Sequence, residues 1–381
     1  MPPITLLLSA GEASGDMYAA QLAIELKKLG DVEIFGMGGA QMRAAGVDVV
    51  TDYHEVSVVG ITEIGSHLPS LIRAMKGLVC EARRRKPALG IVTDFPGFHL
   101  RLARKLKPIG VRNVYFICPQ FWAWRPWRTR LIRRRFALAL CIFPFEEKFF
   151  ADAGVRVQFI GHPLAGQVCA KRSREQFCSD HGIDPAKPVV AVLPGSRRSE
   201  LAQHLPLLRA ACERIGSAEP AQFVIAAAPG RTSILREGWP QNLQVRIVEG
   251  ETYDALAAAD ASIVSSGTAT VEAALLDAPM VVVYRVTPLT AWLARPLVRT
   301  EFFSMVNLIA GRRVVPELIQ RQFTPASVSD EVLRLLRDAE ARERMRRDLA
   351  EVRRRLGPPG AAARAARAIA DLLAGASGNA S

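Results

Sequence analysis

An alternation of apolar runs, glycine turns and helical segments constrains the fold more than any other feature of this sequence. Its sharpest instance is the apolar run 188–193, which is followed by the turn Pro194-Gly-Ser-Arg197 and a predicted helix over 200–215. A strand, a tight glycine turn and a helix in succession present backbone N–H groups that bind anions. Ordinary capped turns share this pattern, so the motif alone leaves a phosphate site and a structural turn equally open.

A second glycine turn, Ser265-Ser-Gly-Thr268, ends another apolar run and favours the phosphate interpretation. In the first turn, Gly195 permits a sharp bend, Ser196 can cap the helix and Arg197 carries a guanidinium suited to phosphate oxygens. Glu272 lies one turn into the later helix. An acid there accepts hydrogen bonds from ribose hydroxyls in other nucleotide folds, or it simply faces the helix dipole.

The same alternation runs through both halves of the chain. Because 381 residues are too many for one ordinary core, the pattern predicts an α/β protein with two parallel sheets. We expect a first domain over 1–168 and a second over 185–345, with a polar, irregular segment between them. An Ala/Arg helix over about 357–373 is expected to pack back on the first domain.

Candidate chemistry in the first half lies where predicted strands end. Glu12 and Ser14 lie between two glycines after the first strand, at the edge of an open sheet where ligands bind. The spacing is not GxGxxG, so a dinucleotide fingerprint is not supported. Asp94 ends another strand just before a helix, which makes it either a general base or a helix cap. His99, in the helix that follows, is interpreted as structural.

Tryptophans alternate with arginines in the segment 118–130. Trp122, Trp124, Arg125 and Arg128 are the members of this set that favour a functional role. Aromatic rings beside guanidinium groups suit base stacking, a sugar face or a membrane interface with phosphates. The alternative is a set of core tryptophans next to a solvated basic helix.

The net charge of +13 predicts an anionic partner: nucleic acid, an anionic membrane face or a phosphorylated substrate. The six cysteines show no CxxC spacing, which indicates reduced thiols of a cytosolic protein and excludes a disulfide framework or a zinc site. We expect no signal peptide, because the N-terminus runs directly into a strand, and no apolar run is long enough to span a bilayer.

Polar side chains in apolar settings need partners, and three occur late in the chain: Asn307, Glu317 and Gln320. Together with the earlier motifs they form an ordered set that runs from about residue 6 to 320. The set is Gly11-Glu-Ala-Ser-Gly-Asp16, Asp94-Phe-Pro-Gly-Phe98, Trp122-Ala-Trp-Arg125, Pro144-Phe-Glu146, Gly161-His-Pro-Leu164, Leu193-Pro-Gly-Ser-Arg197 with Glu200, Ser266-Gly-Thr268 with Glu272, and Asn307 with Pro316-Glu-Leu-Ile-Gln320. This set resembles the bacterial lipid-A-disaccharide synthase family.

The resemblance implies a GT-B glycosyltransferase, with two Rossmann-like domains facing a cleft. It implies transfer of 2,3-diacylglucosamine from UDP to the 6-hydroxyl of 2,3-diacylglucosamine 1-phosphate. The products are a β-1,6-linked disaccharide 1-phosphate, an intermediate of lipid A and lipopolysaccharide biosynthesis, and UDP. Inversion at the sugar carbon requires a base for the hydroxyl and stabilisation of the leaving diphosphate. The resemblance makes Asp94 the base and places Glu12 and Ser14 at the acceptor.

The resemblance also implies that the second domain binds the UDP-sugar, with no metal or other cofactor. The implied donor-binding residues are Gly195, Ser196, Arg197, Glu200, Ser266, Gly267, Thr268, Glu272, Asn307, Glu317 and Gln320. The Trp/Arg segment is then expected to meet the acceptor or an anionic membrane. Expected localisation is peripheral, on the cytoplasmic face of the inner membrane, with no nucleic-acid partner.

Departures from the family pattern occur beside these residues, at His99, Cys118, Gln120, Met305 and Val306. They bear on acyl-chain or acceptor preference more than on the reaction. The alternative function on the same fold is another UDP-N-acetylglucosamine enzyme, either a 2-epimerase or a peptidoglycan-type transferase. An alternative of another class is an RNA-binding protein that uses the Trp/Arg segment, which would show steep salt dependence. The two phosphate turns argue against it.

Overall fold

The computed structural model describes residues 3–56, 68–288, 290–291 and 300–377. It contains two sheets in which all strand pairs are parallel, one of seven strands and one of six. Parallel strands are covered by helices on both faces, which is why their sequences are short continuous runs of Val, Ile and Leu rather than alternating patterns. The prediction of two parallel α/β sheets is confirmed.

The first sheet has the strand order β3-β2-β1-β4-β5-β6-β7. Its strands are β1 Ile4–Ser9, β2 Val32–Gly38, β3 Asp48–Asp52, β4 Leu89–Val92, β5 Arg112–Phe116, β6 Leu138–Cys141 and β7 Val157–Phe159. The helices of this part of the chain are α1 Ala13–Leu29, α2 Ala40–Ala44, α3 Leu68–Arg85, α4 Pro96–Leu106, α5 Phe121–Trp124, α6 Thr129–Arg135 and α7 Pro144–Asp152.

The second sheet has the order β10-β9-β8-β11-β12-β13. Its strands are β8 Val189–Leu193, β9 Gln222–Ala227, β10 Val245–Glu249, β11 Ala261–Ser265, β12 Met280–Tyr284 and β13 Glu317–Ile319. The accompanying helices are α8 Arg174–His181, α9 Arg198–Ala218, α10 Thr232–Arg236, α11 Thr252–Ala258, α12 Thr268–Leu275, α13 Met305–Ala310, α14 Pro325–Arg337 and α15 Ala339–Arg355.

The chain divides into two compact units. Unit 1 comprises Met1–Pro163 and Pro358–Ser381, and unit 2 comprises Leu164–Gly357. Within unit 1, the last helix, α16 Ala361–Ser377, packs against α1, and Arg112 donates a hydrogen bond to the Leu372 carbonyl at 2.9 Å.

The polar segment that the sequence predicts as a linker lies inside unit 2. Asp254, at the start of α11, accepts hydrogen bonds from the backbone N–H groups of Lys171 and Arg172 at 2.6 and 3.1 Å. The Arg172 guanidinium also pairs with Asp254, at 3.0 Å, and with Glu251. These bonds attach the segment to α11 in unit 2. The polarity of the segment alone does not predict this attachment.

Two edge strands, β7 and β13, are absent from the sequence-based prediction. Each has only three residues, too few to establish a strand pattern. None of the described helices is long and apolar enough to cross a membrane.

Candidate active site

Each sheet has one point where the strand order reverses, and ligands bind at such points, beyond the carboxyl ends of the strands. In unit 1 this point lies between β1 and β4, and in unit 2 it lies between β8 and β11. The turns after these four strands are the ones that the sequence singles out. The fold therefore places the predicted motifs in two pairs.

Asp94 follows β4 and contacts the turn that follows β1. Its Oδ1 accepts a hydrogen bond from the Gly11 N–H at 2.8 Å, and its Oδ2 accepts one from the Glu12 N–H at 3.2 Å. Asp94 and Phe95 both have left-handed backbones, with φ of 52° and 34°. Such conformations cost energy in residues other than glycine and concentrate at functional sites. The helix-cap alternative is not supported, because both carboxylate oxygens bond to the other loop.

The strained backbone of Asp94 is held by two buried side chains. The Tyr115 hydroxyl donates to the Asp94 carbonyl at 2.7 Å, and His99 Nδ1 donates to the same oxygen at 3.0 Å. Burial lowers the pKa of His99 to about 4, so the imidazole is neutral, and its Nε2 accepts from the Ser9 hydroxyl at 2.8 Å. His99 therefore positions Asp94.

Glycine at position 15 is required by the close approach of α1 to this carboxylate. A Cβ on Gly15 would lie 1.5 Å from Asp94 Oδ2. Glu12 caps α1 and Ser14 lies in its first turn, and both are exposed. Asp16 is buried and caps α2 instead, accepting the Gly39 N–H at 2.6 Å.

The pKa of the Asp94 carboxyl is shifted far from its usual value. Burial raises its pKa to about 8, and the nearby charges of Glu12 and Asp16 raise it further, against the opposing effect of the Gly11 and Glu12 hydrogen bonds. A carboxyl that titrates near neutral pH is suited to general base catalysis.

A cavity of about 640 Å³ opens at the carboxyl ends of the unit 2 strands. It is lined by eight of the predicted donor-binding residues: Gly195, Ser196, Arg197, Glu200, Ser266, Gly267, Thr268 and Glu272. These residues come from turns about 70 positions apart in the sequence. Their convergence follows from the pairing of β8 with β11.

Glu200 organises the first of these turns. Its Oε2 accepts from the N–H groups of Ser196 and Arg197, both at 3.3 Å, and its Oε1 pairs with the Arg197 guanidinium at 2.6 Å. This is the arrangement of a helix capping box, in which a third-position Glu closes the N-terminus. We therefore assign Glu200 to shaping the turn rather than to direct donor contact, whereas the exposed Arg197 lines the cavity.

Sequence reasoning missed Lys171 and Tyr253, which line the same cavity, and it assigned no separate role to Ser265, the first residue of the second glycine turn. The Tyr253 hydroxyl donates to Glu272 Oε1 at 3.0 Å, which holds the predicted ribose acid in place. The Ser265 hydroxyl is buried and has no hydrogen-bond partner among the described residues. No spacing in the sequence connects Lys171 or Tyr253 to the two glycine turns, so only the fold identifies these two residues.

The remaining predicted donor residues do not line this cavity. Asn307 is fully buried: its amide nitrogen donates to the Val315 carbonyl and to Glu317, and its oxygen accepts from two backbone N–H groups. Glu317 also accepts from the backbone N–H groups of Phe303 and Ser304. Because these polar atoms are engaged within the protein, we reassign both residues to positioning the 303–304 turn, whose Phe303 carbonyl accepts from Ser266 at 3.2 Å.

Gln320 has a similar local role. Its backbone is left-handed, with φ of 55°, and its amide pairs with the backbone N–H and carbonyl of Val286 at 3.3 and 3.2 Å. It fixes the segment that follows β12.

The Trp/Arg segment divides into an anchored and an exposed part. Trp122 donates through Nε1 to the fully buried Glu146 at 2.9 Å. Trp124 is exposed, with the Arg125 guanidinium 4.4 Å from its ring centroid. The Arg128 guanidinium lies 5.8 Å from the same ring. The interpretation of all these tryptophans as core residues is therefore wrong.

Comparison with known proteins decides the family. A family model described as lipid-A-disaccharide synthetase matches residues 6–370. A lipid-A-disaccharide synthase of Solibacter usitatus is 47% identical over 378 residues, covering 98% of each chain. One of Myxococcus xanthus is 43% identical over 375 residues, covering 97% of this chain and 98% of its own. The chain belongs to the lipid-A-disaccharide synthetase family.

Similarity to solved structures extends only to the fold, which is that of GT-B glycosyltransferases. The calicheamicin glycosyltransferase CalG4 has a TM-score of 0.61 at 21% identity, covering 98% of this chain and 99% of its own. A UDP-GlcNAc 2-epimerase of Neisseria meningitidis bound to UDP-GlcNAc has a TM-score of 0.63 at 12% identity, covering 97% and 99%. The fold is thus common to transferases and epimerases, whereas the family is that of the synthetases.

The five departures from the family pattern lie close to these sites. Cys118, Met305 and Val306 are buried, like His99, and Gln120 is exposed just before α5. Among the described residues, no three His, Cys, Asp or Glu side chains are grouped so as to hold a metal ion.

Proposed function

We propose that this enzyme condenses UDP-2,3-diacylglucosamine with 2,3-diacylglucosamine 1-phosphate. The products are the β-1,6-linked disaccharide 1-phosphate and UDP. Membership of the synthetase family over residues 6–370 is the observation that carries this proposal. The name of the relatives specifies a disaccharide product, which a 2-epimerase does not form.

Unit 1 supplies the base in this proposal. Asp94 removes the proton from the 6-hydroxyl of the acceptor as that oxygen attacks the anomeric carbon of the donor. Its raised pKa supports this role because the ionised carboxylate is a stronger base than an ordinary aspartate, and the fixed backbone holds that carboxylate in place. Glu12 and Ser14, exposed on the adjoining turn, are assigned to the acceptor sugar.

Unit 2 binds the UDP moiety in the cavity beyond β8 and β11. Arg197 and the N–H groups at the start of α12 stabilise the diphosphate as negative charge develops on it. Glu272, held by Tyr253, accepts from the ribose hydroxyls. The charge in this proposal comes from the protein, with no metal or cofactor.

Attachment to the membrane is proposed to be peripheral, at the cytoplasmic face of the inner membrane. The net charge of +13 and the exposed rings of Trp124 and Trp127 support contact with anionic headgroups.

A single assay tests the reaction. Purified enzyme is mixed with UDP-2,3-diacylglucosamine and 2,3-diacylglucosamine 1-phosphate in the presence of EDTA, and UDP and disaccharide are followed by mass spectrometry. Equal amounts of the two products are expected. UDP without disaccharide would point to another acceptor. Unchanged donor would favour a different sugar nucleotide, and loss of activity with EDTA would contradict metal independence.

A further inference from the structure

Three arginines of unit 1 have no assigned partner although they lie close together. Arg125 and Arg128 flank the Trp124 ring, with guanidinium carbons 4.4 and 5.8 Å from its centroid. Arg101 lies on α4, which packs against α6 just after Arg128. Among the described residues, none of the three guanidinium groups forms an ion pair with a carboxylate.

Arg128 is the best defined member of this cluster. Its guanidinium lies within 6 Å of three ring centroids, those of Phe121, Trp124 and Trp127. Its Nε is buried and has no hydrogen-bond partner among the described residues. A buried donor without an acceptor is costly, and a charged one more so. Burial lowers the pKa of Arg128, and the positive charges of Arg125 and Arg101 lower it further.

Within the described residues, this cluster carries positive charge without a paired carboxylate, and Arg128 has a buried N–H without an acceptor. Both properties favour binding of an anion with several acceptor oxygens. A phosphate meets this description, because arginine binds phosphate oxygens through two parallel hydrogen bonds. The aromatic rings around Arg128 restrict its rotation and exclude water from one side of the guanidinium. This strengthens its interaction with an anion.

The cluster lies close to the proposed base. Tyr115 donates a hydrogen bond to the Asp94 carbonyl at 2.7 Å. Burial raises the pKa of the Tyr115 hydroxyl well above its usual value, the Asp94 charge raises it further, and the Arg128 charge lowers it. Both groups thus act on the same phenol. In the proposed acceptor, the 1-phosphate and the 6-hydroxymethyl group are carried by C1 and C5, the two carbons that flank the oxygen of one sugar ring, so neighbouring sites for a base and for a phosphate match that molecule.

We propose that Arg101, Arg125 and Arg128 form a binding site for the 1-phosphate of the acceptor sugar, an inference that rests on the proposed function. The site makes the enzyme select a phosphorylated acceptor. It also orients the sugar so that the 6-hydroxyl faces Asp94.

The test compares two acceptors in neutral detergent micelles at saturating donor: 2,3-diacylglucosamine 1-phosphate and the same sugar carrying a 1-O-methyl group. For Arg128→Gln we expect the KM for the phosphorylated acceptor to rise roughly 10- to 100-fold, the range for a hydrogen bond to a charged group. The KM for the methyl acceptor and for the donor should not change. Arg130→Gln removes the same charge from an exposed position on α6 and is the matched control.

Arg128→Lys keeps the charge but lacks the fork of donors, so it should recover only part of the affinity. Arg101→Gln changes an exposed residue and should also raise the KM for the phosphorylated acceptor. This variant tests the proposal even if the Arg128 variants do not fold. Equal losses with both acceptors, or no loss with either, would refute the phosphate site.

The experiment also distinguishes binding of the acceptor phosphate from binding of lipid headgroups by the same arginines. Headgroup binding predicts an unchanged KM in neutral micelles, together with weaker binding of Arg128→Gln to vesicles containing anionic lipid, and that result would also overturn the proposal. If the wild-type enzyme forms no disaccharide, the proposed function itself fails. If it forms disaccharide equally well from both acceptors, only the phosphate site fails.

Discussion

At the scale of single residues, the protein places a carboxylate where its charge is costly and its geometry is fixed. Asp94 is held through its own carbonyl by Tyr115 and His99, and its carboxylate meets two N–H groups. Those bonds favour the ionised form, but burial and neighbouring acids outweigh them, so the pKa of Asp94 rises to about 8. Burial of the ionised Asp94 carboxylate therefore costs folding free energy, and the raised pKa is consistent with the proposed role in proton transfer.

Replacing Asp94 by Asn should lower kcat by roughly 10²- to 10⁴-fold, because the general base is lost. The amide keeps the size of the carboxylate, and the proposed UDP site lies in the other unit, so the Kd for UDP should stay at the wild-type value. Steady-state kinetics and calorimetric titration with UDP measure the two quantities. Near-normal kcat would remove Asp94 from the role of base.

The pH dependence follows from the raised pKa of Asp94. The base acts only when it has lost its proton, so kcat/KM should fall tenfold per pH unit as the pH decreases below about 8. An aspartate with its usual pKa would keep the rate flat down to about pH 4. A rate profile from pH 5 to 9 distinguishes the two, and the residual activity of Asp94→Asn should lack this acid limb.

Arg197→Ala should weaken UDP binding itself by roughly tenfold or more, because a charge-assisted bond to the diphosphate is lost. Uridine, which has no phosphate, should bind equally well to both proteins. Arg198→Ala, an adjacent arginine outside this cavity, is the control. An unchanged Kd for UDP would exclude Arg197 from the phosphate site.

At the scale of elements, function depends on how closely loops approach each other. The N-terminus of α1 lies directly against the turn after β4, and only Gly15 leaves room for the Asp94 carboxylate. In unit 2, Glu317 on the edge strand β13 holds the start of α13 through Phe303, Ser304 and Asn307. The first contact joins elements that are far apart in sequence, and the second joins an edge strand to the helix that precedes it.

Gly15→Ala should reduce kcat strongly, because the added Cβ would lie 1.5 Å from Asp94 Oδ2 and must displace that carboxylate. Overpacking of this kind typically costs about 1–3 kcal/mol of stability. Thermal unfolding and kinetics should be measured together with Gly77→Ala as control, since a Cβ at Gly77, within α3, meets no atom within 4 Å. Full activity in Gly15→Ala would contradict the tight contact between α1 and Asp94.

At the scale of the whole molecule, the chain returns to its first unit after completing the second. The last helix, α16, packs on α1, and Arg364 donates to the Ile160 carbonyl at 2.7 Å. Unit 1 thus contains both the N-terminal and the C-terminal part of the chain. Its excess of basic residues contributes to the net charge of +13 that underlies the proposed membrane attachment.

Attachment to anionic membranes should weaken with ionic strength, because exposed charges are screened over about 8 Å at physiological salt and over about 3 Å at 1 M. Sedimentation with vesicles of neutral and of anionic lipid, each at low and at high salt, measures this effect. Binding is expected only to anionic vesicles at low salt. Salt-resistant binding to neutral vesicles would contradict a peripheral electrostatic contact.

The sequence by itself determined the class of fold and the position of the chemistry in the chain. Buried strands and glycine turns have local patterns, so β8 and α9 were predicted to within a few residues. Asp94, Arg197 and the turn around Gly267 were found in the same way, because each lies where an apolar run ends. Short edge strands such as β13 carry too little pattern to be predicted.

Only the tertiary structure decided which of these residues act together. The pairing of β1 with β4 brings Gly11 to Asp94, and the pairing of β8 with β11 brings Gly195 and Glu272 to one cavity. The tertiary structure also shows that Asn307 and Glu317 hold a turn, and that the buried Nε of Arg128 has no hydrogen-bond partner within the described part of the chain. Burial, hydrogen-bond satisfaction and pKa depend on neighbours that are distant in the chain, so these properties appear only once the strands have paired.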